Sequence, residues 1–83
     1  MKLSQEDISA IRREAANICE PRGIGIYAVD ALPEEMGGGA AVNILLPEGM
    51  GVADAAVSEV KPLIEQIPRV KRVFVVLAAS SRA

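Results

Sequence analysis

Near the start of the chain apolar residues recur at helical spacing. Ile8, Ile11, Ala15 and Ile18 form one stripe, with Arg12, Arg13 and Glu14 mostly off it. Ser4 followed by Asp7 is a capping-box-like start, with Asp in place of the usual Glu or Gln, and Glu6 suits the positive end of the helix dipole. Pro21 and Gly23 close the segment, so a helix is predicted over residues 5–19. From Gly23 to Asp30 the period becomes two, placing Ile24, Ile26 and Ala28 on one face and Gly25, Tyr27 and Val29 on the other. The stretch ALPEEMGGGA reads as a loop by its proline, paired glutamates and triple glycine. Ala40 to Leu46 reads as a second strand, with Val42, Ile44 and Leu46 facing one way and Asn43 the other. The short connection favours an antiparallel hairpin.

A second helix is expected to begin at Met50 or Gly51, with Val52, Ala56, Val60, Leu63, Ile64 and Ile67 as its buried stripe. Pro62 lacks an N–H and crowds the carbonyl of Ser58, so it is expected to kink this helix or divide it. Before it, Pro47-Glu48-Gly49 is read as a joint between strand and helix. A third strand is predicted from Val70 to Leu77, its apolar second half suggesting burial on both faces. The closing AASSRA is expected to fray. The order helix, strand, strand, helix, strand predicts one α+β domain over residues 1–83. Its expected form is a two-layer α-β-β-α-β sandwich, with two helices on one face of a three-stranded mixed sheet, of the ferredoxin-like or KH-like kind. A crossover helix makes the last two strands parallel where they are adjacent.

Composition narrows what such a domain does. With 83 residues, 51% of them hydrophobic, the chain supports a single modest core, and one Tyr, one Phe and no Trp make that core aliphatic. A net charge of -2 and few aromatic rings argue against nucleic acid as the partner. Arg69, Lys71 and Arg72 form the one basic cluster and are read as a solvated strand edge. No long apolar run and no leader pattern stand out, so the expectation is a cytoplasmic protein with no membrane span in this chain.

Histidine is absent and cysteine occurs once, at Cys19. Ser-His-Asp triads, zinc cages and iron–sulfur ligation are excluded on that count, and Cys19, on the apolar side of the first helix, reads as a buried structural thiol. Gly37-Gly38-Gly39 is followed by Ala40-Ala41-Val42 and a strand, not by Lys-Ser/Thr and a helix, and so reads as a hairpin turn rather than a phosphate loop. The stretch GMGVADA has no cation near it, and Glu48 and Asp54 would repel an anion there. Asp30, Glu34, Glu35, Glu48 and Asp54 are the candidate carboxylates for a weak divalent-cation site, without the spacing of a calcium loop. No nucleophile is paired with a base, so no catalytic residue and no cofactor site is assigned, and the chain is read as a non-enzyme.

The segment GGGAAVNILLPEGMGVADAAVSEVKPLIEQIPRVKRVFVVL resembles the cytoplasmic C-terminal domain of cation diffusion facilitator transporters. The likeness lies in the strand end Leu46-Pro47-Glu48, the helix opening Gly51-Val52-Ala53-Asp54-Ala55, and the approach to the last strand, Pro68-Arg69-Val70-Lys71-Arg72-Val73. The resemblance implies the α-β-β-α-β scaffold, homodimerisation, and a regulatory role beside a membrane transporter or another protein. The family's metal positions fall near Tyr27, on Ala56 and at or next to Val76, none of which is a zinc ligand here. The expected function is therefore a non-enzymatic homodimerisation or regulatory module of the cation-efflux type without the family's zinc site. Val73, Val75 and Leu77 or their neighbours are the expected dimer contact, with Arg69 and Arg72 at its rim. Two alternatives stand beside it: a divalent-metal-binding domain built on carboxylates, and a KH-like nucleic-acid module, which lacks a GxxG loop with basic flanks.

Overall fold

A computed structural model describes residues 3–77. The expected AASSRA tail lies outside the described residues. Helix α1 spans Gln5–Cys19, strand β1 Gly25–Ala31, strand β2 Ala40–Leu46, helix α2 Ala55–Glu65 and strand β3 Val70–Leu77, with short 3-10 turns at Glu20–Arg22 and Glu34–Met36. The sheet runs β1-β2-β3, antiparallel between β1 and β2 and parallel between β2 and β3. This is the α-β-β-α-β sandwich that the pattern predicts.

α1 begins as its sequence requires. The Ser4 side chain accepts from the Asp7 N–H at 3.1 Å, and the Asp7 carboxylate accepts from the Ser4 N–H at 3.1 Å, so two orphan donors of the first turn are satisfied. Ile11, Ala15 and Cys19 are buried, and Ile8 and Ile18 pack at the margin of the core. Arg22, just past the helix, donates to the Ile18 carbonyl at 2.7 Å and to Glu59 at 2.6 Å, tying α1 to α2.

α2 departs from the expectation at both ends. It starts at Ala55, not at Met50 or Gly51, because Asp54 acts as its N-cap, accepting from the Ala56 N–H at 2.8 Å. The residues before it make two successive turns, closed by Met50 N–H to Pro47 carbonyl and Asp54 N–H to Gly51 carbonyl. Val52 consequently stays outside the helix and is 56% exposed, while Val57, absent from the expected stripe, is buried with Val60 and Ile64. Ile67 is buried as well, past the helix end. Pro62 does not divide the helix, which runs through it as one element.

Both outer strands carry an irregularity that simple alternation cannot foresee. In β1 the register pairs Ile26 with Ile44 and then Ala28 with Asn43, so Tyr27 is an extra residue. The face inverts there: Val29, opposite Val42, enters the core, and Ala28 turns to the other side. In β3 the register pairs Val70 with Ala40 and then Arg72 with Ala41, leaving Lys71 extra. That inversion brings Val73 under the helices together with Val70. β3 is thus an edge strand buried on one face, not on both; Phe74 is 46% and Leu77 53% exposed.

Two backbone positions set up the second bulge. Arg69 has φ 77, a left-handed conformation in a non-glycine residue, and its carbonyl accepts from the Ala40 N–H at 2.8 Å. Gly39 has φ 79, and a Cβ there would stand 2.6 Å from the Arg69 carbonyl oxygen and 2.5 Å from Lys71 Cγ. The last glycine of the triplet is therefore required by φ and by close approach, a stricter role than flexibility.

Candidate functional site

With α1 and α2 both on one side, the sheet has a covered face and an open one. On β2 the even residues Ala40, Val42, Ile44 and Leu46 are fully buried in the core beneath the helices. The odd residues face the other way and align in three rows across the strands. Asp30, Ala41 and Arg72 form the first row; Ala28, Asn43 and Phe74 the second; Gly25, Leu45 and Val76 the third.

The chemistry of these rows is specific. Asn43 stands at the centre, its amide donating to the Asp30 carboxylate at 3.0 Å and to the Ala28 carbonyl at 3.3 Å. This orients Asp30 and meets the polar demand of a half-buried amide. Ala41 is 2% exposed although outside the core cluster. Phe74 is the largest apolar group presented, with Leu45 and Val76 half-buried beside it. Tyr27, the extra residue of the β1 bulge, is 59% exposed. Among the described residues Arg72 enters no ion pair.

The residues selected from sequence fall in different places. Val73 is in the core and Val75 packs at its margin, so neither presents its side chain to the open face. Arg72 does, in the first row, and Leu77 is exposed at the end of β3. Arg69 is held away from the face in an ion pair with Asp7 at 2.7 Å. The hydrogen bond from the Ser4 backbone, then the Ser4 side chain, and further the Arg69 charge hold the Asp7 carboxyl below its ordinary pKa. Phe74, the neighbour of Val73 and Val75, is put on the open face by the bulge at Lys71; the signal the sequence carries for it is the chain's single phenylalanine inside a strand.

The remaining chemical candidates do not converge. Among the described residues no three of the carboxylates and Cys19 gather as a cation site. Asp54 caps α2, while Glu34 and Glu35 sit in the turn beside a half-open cleft of about 650 Å³ lined also by Leu3, Ala31, Leu32, Pro33 and Gly39. Cys19 is fully buried, and burial pushes its thiol above the ordinary pKa against a smaller opposing pull from Arg22. Ala56 and Val76, the family positions of the resemblance, are partly buried; Tyr27, near the third, is exposed.

No helix among the described residues is long and apolar enough to cross a membrane. No protein-family model, no curated protein and no solved structure matches the chain.

Proposed function

We propose that this chain is a non-enzymatic homodimerisation module that associates through the open face of its sheet. The observation that carries this reading is the second and third rows, where Phe74, Leu45 and Val76 present apolar surface on a sheet face that no element of the described chain covers. A sheet packs stably when both faces are covered, and a small domain gains most from a partner on the bare one.

The face is favoured over the edges by the bulges. β1 and β3 are both edge strands, and each carries an extra residue that interrupts strand addition; Lys71 and Arg72 add charge to one of them. A regulatory role in cation efflux is part of the same reading and is supported by the likeness of residues 37–77 and by the element order. The zinc positions of that family falling near Tyr27, on Ala56 and at or next to Val76 here, association is read as metal-independent.

The test is sedimentation equilibrium from micromolar to millimolar protein, with chelator and with added Zn²⁺. A dimer indifferent to both is expected, abolished by Phe74→Asp while the thermal melt at monomeric dilution stays close to the parent's. A monomer at every concentration, or a mass that doubles only with zinc, refutes the reading.

A further inference from the structure

The open face is self-complementary in one orientation, and this inference rests on the face-to-face reading above. We infer that two copies pack with their two-fold axis parallel to β2, so that β1 of each copy lies over β3 of the other and Arg72 pairs with Asp30 across the interface, twice.

Packed sheets lie about 10 Å apart with strand directions within about 30° of each other, so rows of one copy meet rows of the other. A two-fold axis along β2 keeps each row at its own height and exchanges its ends. In the first row, Asp30-Ala41-Arg72 then meets Arg72-Ala41-Asp30, which places opposite charges together at both ends and two small alanines at the centre. In the second row the exposed Phe74 meets Ala28, a large side chain over a small one. In the third row Val76 meets Gly25, again large over small, and Leu45 meets its own copy.

The alternative two-fold axis, in the sheet plane and perpendicular to β2, does worse. It exchanges the first and third rows, setting Arg72 over Val76 and Asp30 over Gly25, so that each charge is desolvated without a partner. An unpaired buried charge costs far more than a paired one. It also stacks Phe74 on Phe74 while leaving Ala28 over Ala28, a bulky end and an empty end in one row. The monomer leaves the charges available for the first arrangement: Arg72 has no ion pair among the described residues, and Asp30 is exposed and fixed in direction by the Asn43 amide.

Size sets the strength. Three strands about 4.8 Å apart and about 3.3 Å of rise per residue over β2 give a face on the order of 14 by 23 Å. That is well below the roughly 800 Å² per partner of a standard stable interface. The dimer is accordingly weak, has to be sought at high concentration, and weakens further with salt as its charge pairs are screened.

Charge reversal reads the orientation directly. Asp30→Arg leaves Arg on both ends of the first row and Arg72→Asp leaves Asp on both ends, so each variant alone repels itself. Each is expected to dimerise at least about tenfold more weakly than the parent at low salt. Mixed in equal amounts they are expected to form a heterodimer, and the double variant Asp30→Arg/Arg72→Asp to dimerise like the parent. Circular dichroism melts identify any variant that fails to fold, in which case Asp30→Lys and Arg72→Glu replace it.

The outcomes separate the two claims. A parent dimer broken by Phe74→Asp but indifferent to both charge reversals keeps the face and overturns the orientation. Single reversals that weaken association, with no recovery in the mixture or the double variant, overturn it as well. A parent that never dimerises, or that instead binds single-stranded oligonucleotide through the same face, overturns both.

Discussion

Strand β2 shows two environments one residue apart. Ala40, Val42, Ile44 and Leu46 are sealed under α1 and α2, whereas Ala41, Asn43 and Leu45 lie on the side that no helix reaches. Both sets are nearly all apolar, so hydrophobicity alone does not distinguish a core face from an open one. The difference is in what surrounds them. The covered face meets aliphatic side chains from two helices and has no polar group; the open face has an amide at its centre, opposite charges at its ends and an exposed ring. Uniform apolar packing accommodates many shapes, while a row with distinct ends specifies direction.

The contrast is broken most severely on the covered side. Ile44→Ala removes a fully buried side chain and is expected to cost about 2–5 kcal/mol in chemical denaturation, whereas the neighbouring Leu45→Ala should cost under about 1 kcal/mol in the monomer. Equal losses at the two positions would mean the faces are not different. Next comes Gly39→Ala, where the hairpin hands over to the sheet. Its positive φ and the approach of the Arg69 carbonyl predict a loss of about 2–3 kcal/mol, measured the same way. A neutral Gly39→Ala would show that the β3 bulge does not depend on this contact.

Cys19 sharpens the covered face further. Cys19→Ser places a hydroxyl in an apolar site and should lower stability by about 1–2 kcal/mol. The parent thiol is expected to react with a thiol reagent only as fast as the protein opens. On the open side, Phe74→Asp should cost monomer stability no more than about 1 kcal/mol while removing the proposed self-association; a large fall in the monomer's melt would place Phe74 in the core instead.

The smallest effect is a pH dependence belonging to α1. The Asp7 pKa is lowered in the folded state, so folding favours its charged form. Its contribution is fully present above the unfolded value, near pH 4, and is lost as pH falls through the lower folded value. Asp7→Asn should flatten that acid limb of the stability profile; an unchanged limb would locate the acid sensitivity elsewhere. Cys19 behaves in the opposite sense, its raised pKa making stability decline as pH rises past the ordinary thiol value.

Much of this architecture was legible in the sequence. α1, β2 and β3 occupy the predicted residues 5–19, 40–46 and 70–77, because their signals are short-range: a capping box, a clean alternation, a run of β-branched residues. Connection lengths favoured the β1–β2 hairpin and made β2 and β3 parallel where adjacent, but that adjacency is a finding of the structure. α2 was placed early because helical spacing extends upstream into Val52, and only the Asp54 cap shows where the helix begins. The site was legible in part. Arg72 was selected as a rim residue and Asp30 as a carboxylate, but their common row was not visible, and Val73, chosen as a contact, belongs to the core.

Local pattern thus determined which elements form and in what order, since capping, periodicity and turn chemistry act within a few residues. Tertiary structure decided which side chain faces which way. Tyr27 in β1 and Lys71 in β3 each add one residue, and because the side-chain period of a strand is two, one extra residue reverses every assignment beyond it. Those bulges become apparent only when neighbouring strands fix the register. They are what puts Val29 and Val73 under the helices and leaves Asp30, Arg72 and Phe74 on the open face.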